Sequence, residues 1–592
     1  MRYAGRATAA LPGAVSILLL GPSPARAHAF AARYDLPLPL DLYLAGAAAA
    51  VALSFVIMAL VFRARLAPPA GDRGIDLSRL RPIGRMAIAA LQTVSVALFL
   101  LVITAGFFGA QDPLHNIAPA FVWIIWWVGL AYVAALAGNP WPLLNPWSIL
   151  FAWVEHLATR HRPQARFGLG LGYPPWLGAW PAVYLFGAFA WFELIADGAK
   201  VPATLAAFIV AYSALTWAGM FAFGRQTWLA NGEAFALAFG IFGRFAPIGG
   251  AQDLRLRPYG AGLVVDRPCH PSMTAFVILM LSTVTFDGFK ETSLWASLMQ
   301  WTASVPAFHP VLLGLHDLGF DLIAALETGA LALFPMLFYL VYLGFCWLTK
   351  EAADGTRSVA EIAGLFVFSL VPIAIAYHLA HYLSYLLISG QLIIPLASDP
   401  FGIGWDLFRT ADRGIDIGIV GAKFVWYTAV VAIVVGHVFA VAVAHFTALK
   451  AFATAKAARA SQYPFLVLMV AYTMVSLWIL AQPVVASTDP TTLRAPSGTL
   501  ALAPFEFQEL CVEMRAEETI DYGFESDQPV SFGIHYHDGF SIRFPVQTGG
   551  VTAHAHAFTA DADRLYCLMW TNPNVEGLSL TYRTGAPSAV QR

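Results

Sequence analysis

Four histidines lie in two long apolar stretches, and they are the residues best suited to chemistry. His378 and His381 occur in Ile375-Ala-Tyr-His-Leu-Ala-His-Tyr382, and His437 and His445 occur in the following stretch. Titratable side chains at membrane depth are costly and usually face a partner, a cavity or an ion. Histidines at i and i+3 lie about 60° apart on a helix, so both can face one neighbour.

The depth of each histidine separates a set of three from a single residue. Consecutive spans run in opposite directions, so His378 and His437 fall near mid-depth, with His381 about one turn away. His445 lies about 12 Å further along the helix than His437, at 1.5 Å per residue. His378, His381 and His437 can therefore share one ion, such as Zn or Cu, whereas His445 needs another partner. A hydrogen-bonded polar contact between helices is the alternative.

Asp287 is the candidate for acid–base chemistry near these histidines. It occurs in Thr283-Val-Thr-Phe-Asp-Gly-Phe289, at the outer end of its predicted span, and Gly288 is expected to end the helix. A carboxylate there can complete the ligands of a metal or act as a general base. The alternative is a capping or turn aspartate at the water interface.

Two His-x-His pairs predict a second metal site near the C-terminus. His535 and His537 share one face of a strand, as do His554 and His556 if their segment is also a strand. If the two strands pair antiparallel, four imidazoles converge on copper or zinc. An exposed polar face is the alternative.

The composition indicates a multi-pass membrane protein. The 592-residue chain is 58% hydrophobic and 12% charged, about half the charge of a soluble protein. A net charge of −2 gives no indication of nucleic-acid binding. Ten apolar runs are long enough to span a lipid bilayer, near residues 42–62, 87–109, 118–137, 175–195, 202–223, 271–288, 326–348, 362–389, 420–446 and 464–486.

The first 27 residues have the pattern of a signal peptide. Arg2 and Arg6 precede an apolar core at 11–20, and Ala25-Arg-Ala27 gives a cleavage pattern. Cleavage would make His28 the first residue, and an amino group beside an imidazole can chelate copper. Lys and Arg concentrate in the loops that this topology places inside, which predicts that both mature ends lie outside the cytoplasm.

Two cytoplasmic connections are predicted to be structured. Gly138-Asn-Pro-Trp-Pro-Leu-Leu-Asn-Pro-Trp147 is too rich in proline for a helix and too apolar for a free loop. We expect a turn that either re-enters the membrane or lies along its surface. Trp228-Leu-Ala-Asn-Gly-Glu-Ala-Phe235 begins a predicted amphipathic segment on the same side.

The composition changes near residue 494, where alternating patterns predict half-buried strands. The predicted fold is therefore mainly α: a signal peptide at 1–27, a bundle of about ten spans at 28–490 and a small β-sandwich at 494–592. Cys511 and Cys567 are the only cysteines in the last part, and an even pair outside the cytoplasm predicts a disulfide. Cys269 and Cys346 are expected to be free thiols.

Two resemblances follow from these residues. Cys511, Tyr536-His-Asp-Gly539 and Tyr566-Cys-Leu-Met-Trp-Thr-Asn572 resemble the GOLD-type β-sandwich of secretory cargo receptors, in which a disulfide joins the first strand to a late Tyr-Cys strand. That similarity covers under a fifth of the chain. Cargo receptors have one span, so their function is not implied here.

The membrane part resembles bacterial polytopic proteins that carry the name fenitrothion hydrolase. The similar pieces are His28-Ala-Phe, Tyr34-Asp-Leu-Pro-Leu-Pro39, Thr285-Phe-Asp-Gly288, the span with Tyr377-His and His381, and Ser398-Asp-Pro400. The name implies hydrolysis of an organophosphorus triester at the phosphorus–aryloxy bond. The predicted location is the bacterial inner membrane. No catalytic residues carry over from that group.

Three functions remain open on this basis. The first is a membrane hydrolase of apolar organophosphorus triesters, in which His378, His381 and His437 hold a divalent metal that activates water while Asp287 orients or deprotonates it. The second is a redox or copper-handling protein, in which the same histidines ligate haem b and the outer histidines bind copper. The third is an ion- or proton-coupled transporter, although no repeat is visible in the spans. A partner membrane subunit is compatible with these functions.

Overall fold

The computed structural model describes residues 38–61, 75–76, 84–161, 167–249, 255–318, 320–485, 496–538, 541–585 and 588–589. The predicted signal peptide at 1–27 and the predicted copper ligand His28 lie outside these residues.

The described membrane part is mainly helical. Its first half contains α1 (Leu40–Val61), α2 (Gly84–Phe108), α3 (Ile117–Pro119), α4 (Leu130–Leu136), α5 (Trp141–Leu144), α6 (Pro146–Thr159), α7 (Trp180–Leu194), α8 (Pro202–Phe223), α9 (Arg225–Asn231) and α10 (Ala234–Phe245). Its second half contains α11 (Pro271–Phe289), α12 (Ser293–Ser304), α13 (His309–Asp317), α14 (Leu322–Ala352), α15 (Val359–Phe366), α16 (Val371–Ile388), α17 (Ile393–Ser398), α18 (Ala422–Ala451), α19 (Ala455–Ala460) and α20 (Gln462–Val485).

Ten helical runs among the described residues are long and apolar enough to cross a membrane. They overlap all ten predicted spans, so the predicted multi-pass helical architecture is confirmed. Four of the runs are not continuous α-helix. The run Pro175–Leu194 begins with a 3₁₀ turn, Pro175–Leu177, and the run Ala455–Gln482 joins α19 to α20. The run Ile117–Leu136 contains a π-helical segment, Ala120–Gly129, and the run Val359–Ser398 is interrupted by a 3₁₀ turn, Val367–Leu370. Pro372 lies in the first turn of α16, where its missing N–H removes no helical hydrogen bond.

A first re-entrant hairpin is formed by α9 and α10. Gly224, with a φ of 89°, reverses the chain after α8, and α9 packs back along α8 with Trp228 against Gly219. Glu233 is thereby carried to the middle of α8, where its Oε1 accepts a hydrogen bond of 2.6 Å from Tyr212. The 12 residues of α10 then lead back to the end of α4, where Ile248 forms a bridge with Gly138. They extend about 18 Å, which is too short to cross a bilayer.

A second re-entrant hairpin is formed by α5 and α6. Ser95, at the middle of α2, donates a hydrogen bond to the Leu144 carbonyl, which places the turn deep in the bundle. The next residue, Asn145, caps α6 and donates to Glu233 Oε2 at 3.1 Å. The stretch 138–147 thus reaches the middle of α2, as the re-entrant alternative predicts, and the tips of the two hairpins meet at Glu233.

The Glu233 carboxylate is fully buried and accepts five hydrogen bonds. The donors are the Tyr212 hydroxyl, the Trp141 indole, the Asn145 amide and the backbone N–H groups of Phe235 and Ala236. The last two belong to the first turn of α10, whose positive dipole end favours a carboxylate. Glu233 therefore ties both hairpins to the same span.

The C-terminal part is an antiparallel sheet curved into a half-barrel around one core. Its strands are β3 (Ser497–Leu502), β4 (Phe507–Met514), β5 (Glu518–Asp538), β6 (Ser541–Thr559), β7 (Arg564–Thr571), β8 (Leu578–Thr584) and β9 (Ser588–Ala589). The first two strands of the chain, β1 (Ile75–Asp76) and β2 (Arg255–Leu256), form a separate two-stranded ladder in the membrane part. The long β5 pairs with β8 along its first half and with β7 along its second half. Phe532, Tyr566 and Trp570 are buried in the core between these halves.

The cysteines have the predicted states. Cys511 on β4 and Cys567 on β7 form a disulfide. Cys269 and Cys346 are free thiols.

Candidate functional site

Asp287 links α11 to α16 through two hydrogen bonds to one oxygen atom. His381 Nε2 and the Tyr382 hydroxyl each lie 2.9 Å from Asp287 Oδ2. The side chains of Asp287 and His381 are both 19% exposed, so the pair is largely shielded from water. The structure therefore places Asp287 beside one of the predicted ligands, as an orienting partner of an imidazole.

Gly288 allows the close approach of these two helices. A Cβ atom there would lie 2.7 Å from the Tyr377 hydroxyl oxygen, 2.9 Å from Ile479 Cγ2 and 3.7 Å from His381 Cε1. α11 continues to Phe289, so the expectation that Gly288 ends the helix is wrong. Its lack of a side chain instead leaves space for Tyr377 and His381.

A small cavity lies next to the group formed by Asp287, His381 and Tyr382. It is lined by side chains of α7, α10, α11, α16 and the π-helical segment, among them Glu193, Phe242, Thr283, His378 and Tyr382. About 20 Å³ is open to the centres of water-sized molecules, which is room for roughly one water. Tyr382 therefore lines the cavity and also donates to Asp287.

Glu193 lines this cavity, although the sequence analysis did not identify it as a site residue. Its side chain is half-buried and lines the cavity with His378. Lys290 brings a positive charge to the same place, because its ammonium donates to the carbonyl of Leu194 at 2.7 Å. The available signal was a carboxylate inside the apolar stretch 180–194.

His378 lies in an aromatic cage at the cavity wall. Its ring centroid is 4.8 Å from that of Tyr382, 5.6 Å from Trp127, 5.7 Å from Tyr132 and 6.0 Å from Phe242. The imidazole is buried, and its Nε2 has no hydrogen-bond partner among the described residues. A buried polar atom without a partner is unfavourable, and a water in the cavity would relieve this cost.

His437 faces a different neighbour. Its Nδ1 lies 2.8 Å from the Ile433 carbonyl, and its ring centroid is 6.1 Å from that of Tyr472. The Tyr472 hydroxyl in turn bonds to Thr285 Oγ1 on α11. His437 Nε2 and the Tyr377 hydroxyl are buried and have no partner within the described part of the chain.

The three predicted metal ligands are not brought together. The nitrogen atoms of His378, His381 and His437 do not all lie within 4.8 Å of one another, since the only described residues that meet this condition are elsewhere. A zinc ion holds each nitrogen at about 2 Å, so the three imidazoles do not form a zinc site in this arrangement. His445, which was expected to need another partner, lies 2.9 Å from Gln462 Oε1 through its Nδ1.

The two His-x-His pairs do not form one site either. His554 lies opposite Phe524 and His556 opposite Tyr522, whereas His537 lies opposite Ile542. The strands do pair antiparallel, but the register separates the pairs along β5 and the four imidazoles cannot converge. The His554 and His556 rings are 4.6 Å apart, which confirms that they share a face. Partial burial, and then the neighbouring His556, lower the pKa of His554.

A different group forms in the β domain. Ligand atoms of Glu509, His535 and Cys567 all lie within 4.8 Å of one another. His535 was predicted as a ligand, whereas Glu509 was not. The contact between Glu509 and His535 depends on the pairing of β4, β7 and β5, and the sequence does not show this pairing.

Comparisons with known proteins give no indication of function, so the function must be inferred from the geometry of the site. No protein-family model matches the chain, and no curated protein matches it.

Proposed function

We propose that Asp287, His381 and Tyr382 form the acid–base centre of a proton-coupled membrane transporter. The observation that carries the proposal is the Asp287 carboxylate, held by an imidazole and a phenol inside a bundle of membrane spans. Intramembrane carboxylate and histidine pairs mark proton relays. The centre borders a cavity with room for roughly one water, through which a proton can reach Glu193 and His378.

The two re-entrant hairpins support transport as the function class. Helices broken at the level of the substrate are a recurring feature of transporters, because their ends place dipoles and backbone groups inside the bundle. Here α10 begins at the middle of the bundle, and Phe242 near its other end lines the cavity. A movement of this hairpin would therefore change the space around His378.

We also propose a bacterial inner membrane as the location, with both mature ends outside the cytoplasm. The distribution of Lys and Arg among the loops supports this orientation, and the Cys511–Cys567 disulfide fits an oxidising compartment. A cysteine introduced at exposed Ser497 should react with a membrane-impermeant maleimide in intact cells. Labelling only after lysis would contradict this orientation.

Proton uptake by the reconstituted full-length protein tests the centre. Liposomes loaded with a pH-sensitive dye and driven by a potassium diffusion potential should acidify faster with the protein than without it. Asp287→Asn should slow uptake at least tenfold, roughly the effect of losing one catalytic proton-transfer group. Asp41→Asn is the matched control, because Asp41 is exposed at the start of α1. Uptake equal to that of protein-free liposomes would overturn the proposal.

A membrane hydrolase is the second candidate, and the Asp287–His381 hydrogen bond favours it. A carboxylate that orients an imidazole is the arrangement that makes histidine a general base toward water. The cavity is far smaller than the roughly 300 Å³ or more of small-molecule sites, so an apolar phosphotriester would require the helices to open. Release of nitrophenol from a nitrophenyl phosphotriester by purified protein, lost in His381→Ala, would support this function. Absence of turnover with and without added Zn or Cu would exclude it.

A further inference from the structure

Three side chains of the β domain form a row across three adjacent strands. Cys511 on β4 lies directly opposite Cys567 on β7, and Cys567 lies directly opposite His535 on β5. Directly opposed residues in antiparallel strands point to the same face of the sheet. The disulfide and the imidazole are therefore neighbours because of the strand register.

Glu509 extends this row to a fourth residue. It precedes Cys511 by two positions on β4, so it shares that face. Its Oε2 lies 3.4 Å from His535 Nε2, and ligand atoms of Glu509, His535 and Cys567 all lie within 4.8 Å of one another. One carboxylate, one imidazole nitrogen and the Cys567 sulfur thus meet at one place, and the Cys511 sulfur is bonded to the Cys567 sulfur.

This group of side chains is buried except at Glu509. Cys511, Cys567 and His535 are at most 2% exposed, whereas the Glu509 side chain is 30% exposed. Glu509 therefore connects the buried imidazole to the surface, and a cation between them would stabilise the carboxylate. β4 pairs only with β7 among the described strands, and an edge strand can open locally to admit a reagent.

We propose that reduction of the Cys511–Cys567 disulfide converts this row into a Zn²⁺ site made of Cys511, Cys567, His535 and Glu509. Two thiolates, one imidazole and one carboxylate are the donor types that zinc takes in tetrahedral sites. In the oxidised state the sulfur atoms are bonded to each other, and the site lacks its thiolates. The inference does not depend on the proton-coupled function, because none of these residues lies in the membrane bundle.

The chemistry balances with a dithiol as reductant. One thiolate of the dithiol attacks a sulfur of the disulfide, a mixed disulfide forms, and the second thiol releases it. The dithiol becomes a disulfide, while Cys511 and Cys567 gain two electrons and two protons and become thiols. Binding of Zn²⁺ then displaces both thiol protons to water. Oxidation by a disulfide reverses the electron transfer and releases the metal.

Cobalt(II) is the probe that tests this site in the full-length protein. A Cys269→Ser and Cys346→Ser background leaves Cys511 and Cys567 as its only cysteines. The protein is reduced with a dithiol, desalted without oxygen and titrated with cobalt. We expect a thiolate-to-cobalt charge-transfer band at one cobalt per chain after reduction, removed by one equivalent of Zn²⁺. Identical spectra before and after reduction would overturn the proposal.

Two variants distinguish the built site from loose thiol binding. His535→Ala should weaken cobalt binding by at least tenfold, on the order of the loss that follows removal of a supporting group at metal sites. His554→Ala is the matched control, because His554 lies opposite Phe524, away from the row. Equal cobalt affinity in His535→Ala and His554→Ala would contradict the site. Hydrogen exchange of residues 497–584 in the reduced, zinc-loaded wild type should retain the protection of the oxidised protein, and loss of protection would assign binding to unfolded thiols instead.

Discussion

The Tyr377 hydroxyl occupies the space that a side chain on Gly288 would fill, since a Cβ atom there would lie 2.7 Å from the hydroxyl oxygen. Tyr377 and His381 are on α16 and Gly288 is on α11, next to Asp287. The contact between the two helices therefore supports the proposed acid–base centre, because any widening there lengthens the hydrogen bond between His381 and Asp287.

Gly288→Ala should damage both stability and proton uptake. The new methyl group must displace Tyr377 or Ile479, and overpacking of this kind costs about 1–3 kcal/mol. Thermal unfolding in detergent and proton uptake in liposomes measure the two effects. Gly187→Ala on α7 is the control, because a Cβ atom there meets nothing within 4 Å. If Gly288→Ala and Gly187→Ala show the same melting temperature and the same proton uptake, the close approach of the helices at Gly288 is not needed for function.

His378→Phe should separate function from packing. Phenylalanine keeps an aromatic ring in the cage and removes the Nε2 atom that lacks a partner. We expect the melting temperature to stay the same or rise, since replacing a buried unsatisfied polar group by an apolar one is neutral or stabilising. Proton uptake should nevertheless fall, because the cavity loses its imidazole. Unchanged uptake would leave His378 with a packing role only.

Glu233→Gln should destabilise the bundle more than Tyr212→Phe does. Glutamine offers one acceptor oxygen where the carboxylate accepts five hydrogen bonds, and its NH₂ group would face other donors. We expect a loss of about 2–4 kcal/mol for Glu233→Gln and of about 1 kcal/mol for Tyr212→Phe. Thermal unfolding of the purified protein gives the order of the two variants, and equal melting temperatures would argue against a meeting point of the hairpins at Glu233.

Asn572→Asp should destabilise the β domain more than Asn572→Ala. The Asn572 Nδ2 group faces the carbonyl oxygens of Leu502, Ala503 and Glu576, at distances between 2.8 and 3.2 Å. Alanine leaves these acceptors without a donor, at about 1–3 kcal/mol, and aspartate adds a negative charge against them. Hydrogen-exchange protection of residues 497–584 should therefore be lower in Asn572→Asp than in Asn572→Ala. The reverse order would mean that water molecules donate hydrogen bonds to the three carbonyls.

Tyr566→Phe should make the β domain more sensitive to acid. The Tyr566 hydroxyl donates to Asp561 Oδ1 and holds the pKa of that carboxyl below its usual value. A lowered carboxyl pKa gives stability that is present above the unfolded pKa of about 4 and is lost as the pH falls through the folded pKa. Without the hydroxyl this increment is absent, so the acid midpoint of hydrogen exchange should move to higher pH. Because Asp561 is 61% exposed, the shift should be small.

The helical part of the fold was predictable because its signals are local. A span is defined by the length of its own apolar run, and all ten runs gave helices. The two hairpins were only partly predictable, since Gly138 to Trp147 showed helix-breaking residues, whereas the deep position of Glu233 depends on its contact with Tyr212. No local pattern contains that contact.

The sequence identified residues of the candidate site, but it did not predict which of them lie in contact. Asp287 and His381 were both identified, and their bond follows from the packing of α11 on α16, to which Gly288 contributes. His437 was grouped with them by depth alone, but depth does not fix the direction in which a side chain points. The same limit applied to His554, whose strand was foreseen but whose register was not.

The re-entrant hairpins impose an order on biogenesis. A stretch of 12 residues such as α10 is too short to be retained in lipid as a separate span, and the charge of Glu233 opposes its entry without partners. Its donors come from α8 and from the 138–147 turn, so both must already be in place when α10 moves inward. We therefore expect α10 to take its place last, after α8 and the 138–147 turn have reached theirs.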